Sequence, residues 1–191
     1  KEIAGDKYTM LNVPVTPNEA EMAVYRKVMD EYQDICYMYF NNSGDTRKES
    51  SLKILRQIDL LIRACSIPQF MPGYYGDHRP TKPKAILKHI DSVEGKVAVG
   101  CTSHEALEMY VDYISDHFPD RPLFIIHGNI TFSKREKLID QFEDTTNGIL
   151  VCTQQSLELS IDIPSCNEVL IESLPWNFSR VDQFTRRFCR Y

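Results

Sequence analysis

Apolar residues recur at helical spacing through the first third of the chain. From Met22 to Tyr39 the apolar positions fall three or four residues apart, and a second stripe of this kind runs from Leu52 to Cys65. Apolar residues at this spacing form one face of an amphipathic helix. The pattern therefore predicts two long helices, separated by the polar segment 41–45 and closed by Pro68, which cannot continue a helix.

The residues before the first helix predict a strand and a helix start. The run from Tyr8 to Val15 predicts a short strand. Thr16 is expected to cap the helix, Pro17 suits its first position, and Glu19 can reach back to the cap. The segment 1–83 is therefore expected to form a strand, a helical annex and a connecting loop, because the proline-rich stretch 67–83 predicts a boundary.

From Lys84 onward, short apolar runs alternate with helical segments. Thr102 with Glu105 and Ser133 with Glu136 have capping-box spacing, which predicts helices between the runs. Alternating strands and helices predict an α/β domain around a parallel sheet, here over residues 84–191. Four runs are the predicted strands: Val97–Gly100, Leu123–Ile126, Ile149–Cys152 and Glu168–Ile171.

Composition narrows the class of protein. The 191 residues are 42% hydrophobic and carry a formal net charge of -5, which fits a soluble globular chain and argues mildly against a free-standing nucleic-acid binder. No apolar run approaches the roughly 18 residues of a membrane span, and the charged N-terminus does not resemble a signal peptide. The six cysteines form no CxxC pair, so we expect buried thiols and no metal site.

Polar residues directly after the predicted strands are the first candidates for function. Ligands of open parallel sheets gather at the carboxyl ends of the strands. Thr102 and Ser103 could bind a phosphate or could simply cap a helix, and Thr153 with Gln154 occupies the equivalent place after the third run. His127 stands after the second run, where a histidine is usually a structural hydrogen-bonding residue.

Arginines near the end of the chain form the most specific pattern. Gln183, Arg187 and Arg190 are spaced by four and three residues, so a continuous helix would place them on one face. Such a face could present two guanidinium groups to a triphosphate on a neighbouring domain. The alternative is a basic surface helix whose arginines bind carboxylates of the same chain.

The same stretch resembles the Swi/Snf-like branch of the superfamily-two helicases and translocases. In that family the second RecA-like lobe carries Trp-Asn, then a glutamine six residues later and arginines at plus four and plus seven, as do Trp176, Asn177, Gln183, Arg187 and Arg190. The segments 55–68, 96–110 and 149–171 also resemble family motifs. The resemblance implies a RecA-like three-layer sandwich with a central parallel sheet, preceded by the helical annex.

The resemblance also implies roles for individual residues. Arg190 would be the arginine finger and Arg187 its companion on the phosphates, while Gln183 would sense the lobe interface. Arg135 would be structural. The residues implied to contact the backbone of the tracked strand are Thr102, Ser103, Thr153 and Gln154.

Two features of the family are absent. The chain has no phosphate loop and no Asp-Glu magnesium motif, so ATP and Mg²⁺ would be held by a first RecA-like lobe and this fragment alone should not hydrolyse ATP. The glycines that usually follow the fifth-motif threonine are also missing after Thr153, which puts the geometry of that loop in question.

The resulting hypothesis is the C-terminal lobe of an ATP-dependent translocase acting on double-stranded DNA. Its expected partners are double-stranded DNA and the first lobe, with no membrane and a monomeric fragment. The expected location is the cytoplasm for a bacterial or phage protein and the nucleus for a eukaryotic one. Two alternatives stay open: the second lobe of another superfamily-two enzyme, such as an RNA helicase or a restriction motor, and a degenerate lobe that binds a protein partner.

Overall fold

The computed structural model describes residues 9–157, 162–175 and 178–188. These residues form two compact units. The helical unit comprises residues 15–84, and the sheet unit comprises the described residues before 15 and after 84. Helix α3, Thr81–Asp91, begins in the helical unit and continues into the sheet unit.

Two long helices build the helical unit, as the apolar stripes predict. Helix α1 is Glu19–Asn41 and helix α2 is Asp45–Ser66. They are joined through Gly44, whose φ of 65° is readily adopted by glycine. The buried side chains between the helices come from both of them and from the following loop: Val24, Val28, Ala64 and Met71. A short 3₁₀ helix, Pro68–Phe70, follows α2. No helix in the described part of the chain is both long enough and apolar enough to span a membrane.

The start of α1 differs from its prediction. The capping residue is Asn18, whose side chain accepts a hydrogen bond from Glu21 N at 3.0 Å, while Glu21 accepts one from Asn18 N at 2.5 Å. The Glu21 carboxylate also accepts from Thr81 N at 2.6 Å and from the Thr81 hydroxyl at 2.8 Å. Asn18 and Glu21 are three residues apart, so this capping box is a local pattern that starts the helix two residues after the predicted cap Thr16, and the contact with Thr81 adds a bond between distant segments.

The predicted strand over residues 8–15 is wrong where the structure describes it. Residues 9–15 have no regular secondary structure, and Leu11 and Val13 are 78% and 70% exposed. A strand is stabilised by hydrogen bonds to a neighbouring strand, and Pro14 lacks one donor. An apolar run without a pairing partner therefore remains irregular.

The sheet unit contains four parallel strands whose positions were predicted to within one residue. In chain order they are β1 Val97–Cys101, β2 Leu123–Ile126, β3 Ile149–Thr153 and β4 Glu168–Ile171. The sheet order is β2-β3-β1-β4, with Gly100 paired to Cys152 and to Ile171. This confirms the predicted α/β fold with a central parallel sheet.

Three further helices cover the sheet. Helix α4, His104–His117, packs on β1, β2 and β3, while α5, Phe132–Glu143, packs on β2. Helix α6, Phe178–Thr185, contributes Phe184 to the same core cluster as Phe142 of α5. That cluster includes Ala98 of β1 but not its neighbours Val97 and Val99, which are equally buried and point to the opposite face. Helices on both faces make the three layers of the predicted sandwich.

The caps of α4 and α5 are shifted from the predicted residues. Ser103, and not Thr102, caps α4 by accepting from Ala106 N at 3.1 Å. Helix α5 starts one residue before Ser133, with Thr131 in the capping position and no side-chain hydrogen bond there. Several hydroxyls compete near each helix start, and the strand end that feeds the helix decides which one is in place.

Two basic side chains join the loops at the amino ends of the strands, which we call the amino edge. Arg121 donates to four carbonyl oxygens: Asn147 at 2.9 Å, Ile90 and Val93 at 3.1 Å, and Gly95 at 2.7 Å. Lys96, which is 9% exposed, donates to Glu143 O at 2.7 Å and to the Ser165 hydroxyl at 2.6 Å. Burial lowers the pKa of Arg121 below its usual value.

Candidate functional site

A polar cleft lies at the opposite edge of the sheet, the carboxyl edge. Its volume is about 450 Å³, and it is formed where β1, β2 and β3 end and α4 and α5 begin. Because parallel strands end at one edge, residues far apart in sequence converge there. The lining residues are Thr102, His104, His127, Gly128, Asn129, Arg135, Thr153, Gln155 and Ser156.

Thr102 and Thr153 are the predicted nucleic-acid residues that line this cleft. They follow neighbouring strands, since Cys101 and Thr153 are paired in the sheet. Both are partly exposed, so their hydroxyls can bind a ligand in the cleft. The Ser156 hydroxyl, in contrast, donates to Thr153 O at 2.7 Å and to Ile126 O at 3.2 Å, which fixes the loop after β3.

The other two predicted nucleic-acid residues have structural contacts and are not among the lining residues. Ser103 caps α4. Gln154 is 4% exposed, and its Nε2 donates to Ser173 O at 2.8 Å and to Gly100 O at 3.3 Å. Each of the two follows, in the sequence, a threonine that lines the cleft. Only the fold shows that their side chains turn towards the protein.

Arg135 is the main cation of the cleft. It is 7% exposed, and its Nη2 donates a long hydrogen bond to Ile130 O at 3.4 Å. Within the described residues, its Nε has no acceptor and no carboxylate forms an ion pair with it. Burying a charge without a partner costs free energy unless an anion compensates it. The residue that the resemblance treats as structural is therefore placed to bind an anion.

Two histidines form one wall of the cleft. The rings of His104 and His127 stack with their centroids 4.9 Å apart and an angle of 21° between planes. His104 Nε2 lies 3.8 Å from Glu108 Oε1, and Asn129 N donates to His127 Nδ1 at 3.4 Å. The position after the second strand identified His127 as a candidate, whereas His104 has no such signal because it occupies an ordinary exposed position at the start of a helix.

The arginine segment does not form the predicted continuous helix. Helix α6 ends at Thr185, and residues 186–188 form a turn in which Arg187 N donates to Phe184 O at 3.1 Å. The Thr185 hydroxyl donates back to Val181 O at 2.9 Å, and Ile163 N donates to Arg187 O at 2.6 Å. Gln183 therefore lies on the helix, and Arg187 lies in the turn after it.

Arg187 pairs with an aspartate of the sheet unit. Its Nη1 lies 3.6 Å from Asp162 Oδ1, and the two side chains are 25% and 16% exposed. Gln183 is exposed. Arg190, together with Trp176 and Asn177, lies outside the described residues, so the implied finger role of Arg190 stays a prediction.

The buried cysteines are packing residues in the described part of the chain. Cys101, Cys152 and Cys166 are buried, whereas Cys36 is partly buried and Cys65 is exposed. Burial raises the pKa of Cys166 to about 12 and raises that of Cys101 well above its usual value. Thiols held neutral are poor nucleophiles and metal ligands. The described residues contain no group of His, Cys, Asp and Glu suited to hold a metal ion.

Comparison with protein families agrees with this fold. The helicase conserved C-terminal domain family matches residues 81–191, and the chain belongs to that family. The fold is similar to the C-terminal part of the Fun30 ATPase domain, with a TM-score of 0.74, 14% identity, and coverage of 93% of this chain and 79% of that one. The predicted second helicase lobe is thus confirmed as a helicase C-terminal domain, and its fold is that of the Swi2/Snf2 ATPase structures.

Two further proteins are similar to the chain. The Sulfolobus solfataricus SWI2/SNF2 ATPase core, solved in complex with dsDNA, has a TM-score of 0.70 and 16% identity, covering 93% of this chain and 37% of that one. The mitochondrial ATP-dependent RNA helicase MSS116 of Saccharomyces cerevisiae is 39% identical over 56 residues, which are 29% of this chain and 8% of that protein. Its domain 2, bound to an RNA duplex, has a TM-score of 0.51 and 25% identity, covering 57% and 45%.

Proposed function

We propose that the chain is the C-terminal lobe of an ATP-dependent translocase or remodeller that acts on double-stranded DNA. In this proposal the cleft at the carboxyl edge binds the phosphate backbone of one strand. The observation that carries the proposal is the buried guanidinium of Arg135 beside the hydroxyls of Thr102 and Thr153. A cation without a carboxylate, next to hydroxyl donors, suits a phosphate.

The chemistry of the cleft favours binding that is independent of base sequence. Phosphate contacts fix the register of a protein on nucleic acid without reading the bases. A protein that steps along a strand needs this kind of grip. Because the net charge of the chain is -5, attraction of the phosphate backbone would depend on local cationic groups such as Arg135.

Residues 186–188, which we call the arginine turn, would give the lobe its part in ATP hydrolysis. Mg²⁺ and ATP, bound by a first lobe, would supply the transferred phosphoryl group, and this chain would supply Arg187 and Arg190. Arg187 would exchange Asp162 for phosphate oxygens, because a guanidinium binds both kinds of oxyanion in the same planar geometry. Gln183 would contact the first lobe from the exposed face of α6.

RNA duplex is the second candidate substrate, and one observation favours it. The identity of 39% over 56 residues is to an ATP-dependent RNA helicase, whereas the more extensive Swi2/Snf2 matches are 14% and 16% identical. The Swi2/Snf2 folds cover 93% of this chain, including the helical unit, and the RNA helicase domain covers 57%. That wider coverage supports the DNA proposal.

The substrate is tested by ATP hydrolysis of the intact protein with duplex DNA, duplex RNA or no nucleic acid. We expect duplex DNA to raise kcat at least tenfold and duplex RNA to raise it much less. A larger stimulation by RNA would select the RNA helicase. No stimulation by either nucleic acid would refute the proposal.

Arg187→Ala tests the role of the arginine turn. We expect stimulated kcat to fall about a thousandfold, because Arg187 as the companion of the finger would stabilise charge on the transferred phosphoryl group, with little change in ATP binding. Arg186→Ala is the matched control, because Arg186 is the next residue and is bound to Asp182 at 2.8 Å on an exposed surface. Equal losses in the two variants would contradict a specific role for Arg187.

A further inference from the structure

Gly100, the penultimate residue of β1, lies directly under an aromatic ring of α6. A Cβ atom at Gly100 would lie 2.5 Å from Cζ and 2.7 Å from Cε1 of Phe184. Phe184 is fully buried, so its ring has no open space on the solvent side. The absence of a side chain at Gly100 is therefore what allows α6 to lie this close to the strand.

Gln154 completes the place where the ring lies. Its Nε2 donates to the carbonyl oxygens of Gly100 and Ser173, which stand at the ends of β1 and β4. Its Cγ would lie 3.3 Å from a Cβ at Gly100, on the same side as the Phe184 ring. Gly100 O also accepts from Glu172 N at 3.1 Å. We call Gly100, Gln154 and Phe184 the aromatic seat.

The aromatic seat lies between the two candidate functional groups of the sheet unit. Gln154 directly follows Thr153 of the cleft, and Gly100 precedes Thr102 by two residues. On the other side, Arg187 N donates to Phe184 O at 3.1 Å. One packed contact therefore separates the strand ends that line the cleft from the turn that carries Arg187.

We infer that the aromatic seat is a positioning element that couples nucleic acid in the cleft to the placement of Arg187. The inference rests on the proposed function. It gives Gly100 and Gln154 a positioning role that involves no direct contact with nucleic acid or with ATP. Protein interiors are close-packed, so a shift of the strand ends moves the ring and the turn bonded to it. Residues in one such contact network show non-additive effects when they are mutated.

Gly100→Ala in the intact protein is the primary test. The added methyl group displaces Phe184, so kcat of nucleic-acid-stimulated ATP hydrolysis should fall at least tenfold. The KM for ATP and the nucleic-acid concentration for half-maximal stimulation should change less than threefold. Gly95→Ala is the matched control, because a Cβ there meets nothing within 4 Å, and it should leave kcat unchanged.

A second variant identifies the contact as the cause. Phe184→Leu lacks Cε1 and Cζ, the atoms that the methyl group would meet, so Gly100→Ala with Phe184→Leu should recover much of the lost kcat. If Gly100→Ala fails to fold, Gln154→Met provides the same kcat measurement, since it keeps the side-chain length and removes both donated hydrogen bonds.

The outcomes separate this inference from the function on which it rests. One result would overturn the inference alone. The wild-type protein is stimulated by nucleic acid, but the kcat of Gly100→Ala with Phe184→Leu is no higher than expected from multiplying the effects of the two single substitutions. Equal losses of kcat and nucleic-acid affinity in Gly100→Ala or Gln154→Met would also overturn it, because a general loss of structure predicts that result. A wild-type protein without stimulation would overturn the proposed function and this inference together.

Discussion

Basic side chains at the two edges of the same parallel sheet differ in how completely they are hydrogen-bonded. At the amino edge, Arg121 donates to four carbonyl oxygens and Lys96 to two oxygens. At the carboxyl edge, Arg135 is more deeply buried than Arg121, yet among the described residues its side chain donates one hydrogen bond, which is 3.4 Å long. The difference separates a group whose hydrogen bonds join several loops from a group that we propose to bind a ligand.

This contrast teaches how to distinguish structural from functional arginines in one domain. A buried polar group without its partners destabilises a protein, so folds keep such groups where a ligand supplies the partner. At the amino edge, the guanidinium of Arg121 and the ammonium of Lys96 have their hydrogen-bond acceptors within the chain. At the carboxyl edge, the buried Nε of Arg135 has no acceptor among the described residues, and under the proposed function a phosphate would supply one.

The largest effect is expected from Arg121→Met. The methionine keeps an apolar stem and removes every hydrogen bond to the four loop carbonyls. We expect the free energy of unfolding to fall by about 3 kcal/mol, because several polar groups lose a charged donor at once. Urea denaturation measures the loss, and nucleic-acid affinity under native conditions should stay the same. A decrease in the free energy of unfolding below about 0.5 kcal/mol would contradict the structural role of Arg121.

Arg135→Gln should produce the opposite pattern. Nucleic-acid affinity should fall about tenfold at low salt, and the slope of log K against log salt should decrease by about one, because one phosphate contact is lost. Stability should stay equal or rise slightly, since an unpaired buried charge is removed.

Lys134→Gln is the control for this change. Lys134 precedes Arg135 on α5, is exposed and is not among the residues that line the cleft. Its substitution should have a smaller effect on affinity and leave the salt slope nearly unchanged. A marked loss of stability in Arg135→Gln, with no change of slope, would show that Arg135 belongs with the structural arginines.

A pair of threonine substitutions sharpens the comparison at the scale of about 1 kcal/mol. Thr153→Val at the carboxyl edge should weaken binding about threefold to fivefold for all base sequences, since it removes one backbone contact. Thr145→Val near the amino edge should lower the unfolding free energy by about 1 kcal/mol and leave binding unchanged. The Thr145 hydroxyl donates to Phe142 O at 2.7 Å and accepts from Gly148 N at 3.2 Å. Strong dependence of the Thr153→Val effect on base sequence would contradict a backbone contact.

Sequence patterns were sufficient to predict the helices and strands whose formation depends mainly on neighbouring residues. The four strands were predicted because short, continuous apolar runs between helical segments are typical of the buried strands of a parallel sheet. The helices α1 and α2 were predicted from their apolar stripes. The apolar run at residues 8–15 wrongly predicted a strand, because a strand also needs a neighbouring strand that the local sequence cannot provide.

The candidate site was only partly predictable for the same reason. Thr102 and Thr153 were found because position after a strand fixes the edge on which a residue lies. Ser103 and Gln154 have the same sequence signal, but their side chains bind the backbone of the protein. The arginine spacing predicted a single helical face, whereas helix α6 ends at Thr185 and Arg187 lies in a turn in which its backbone N donates to Phe184 O.

The sequence by itself determined the order of strands and helices, the edge at which polar residues gather, and the family to which the arginine segment is similar. Each of these follows from periodicity or from adjacency along the chain. Tertiary structure alone decided that Arg135 is buried and Lys134 is exposed, that His104 stacks on His127, and that Phe184 lies against Gly100. These are contacts between distant segments, and their energies depend on packing and on hydrogen-bond partners that no local pattern encodes.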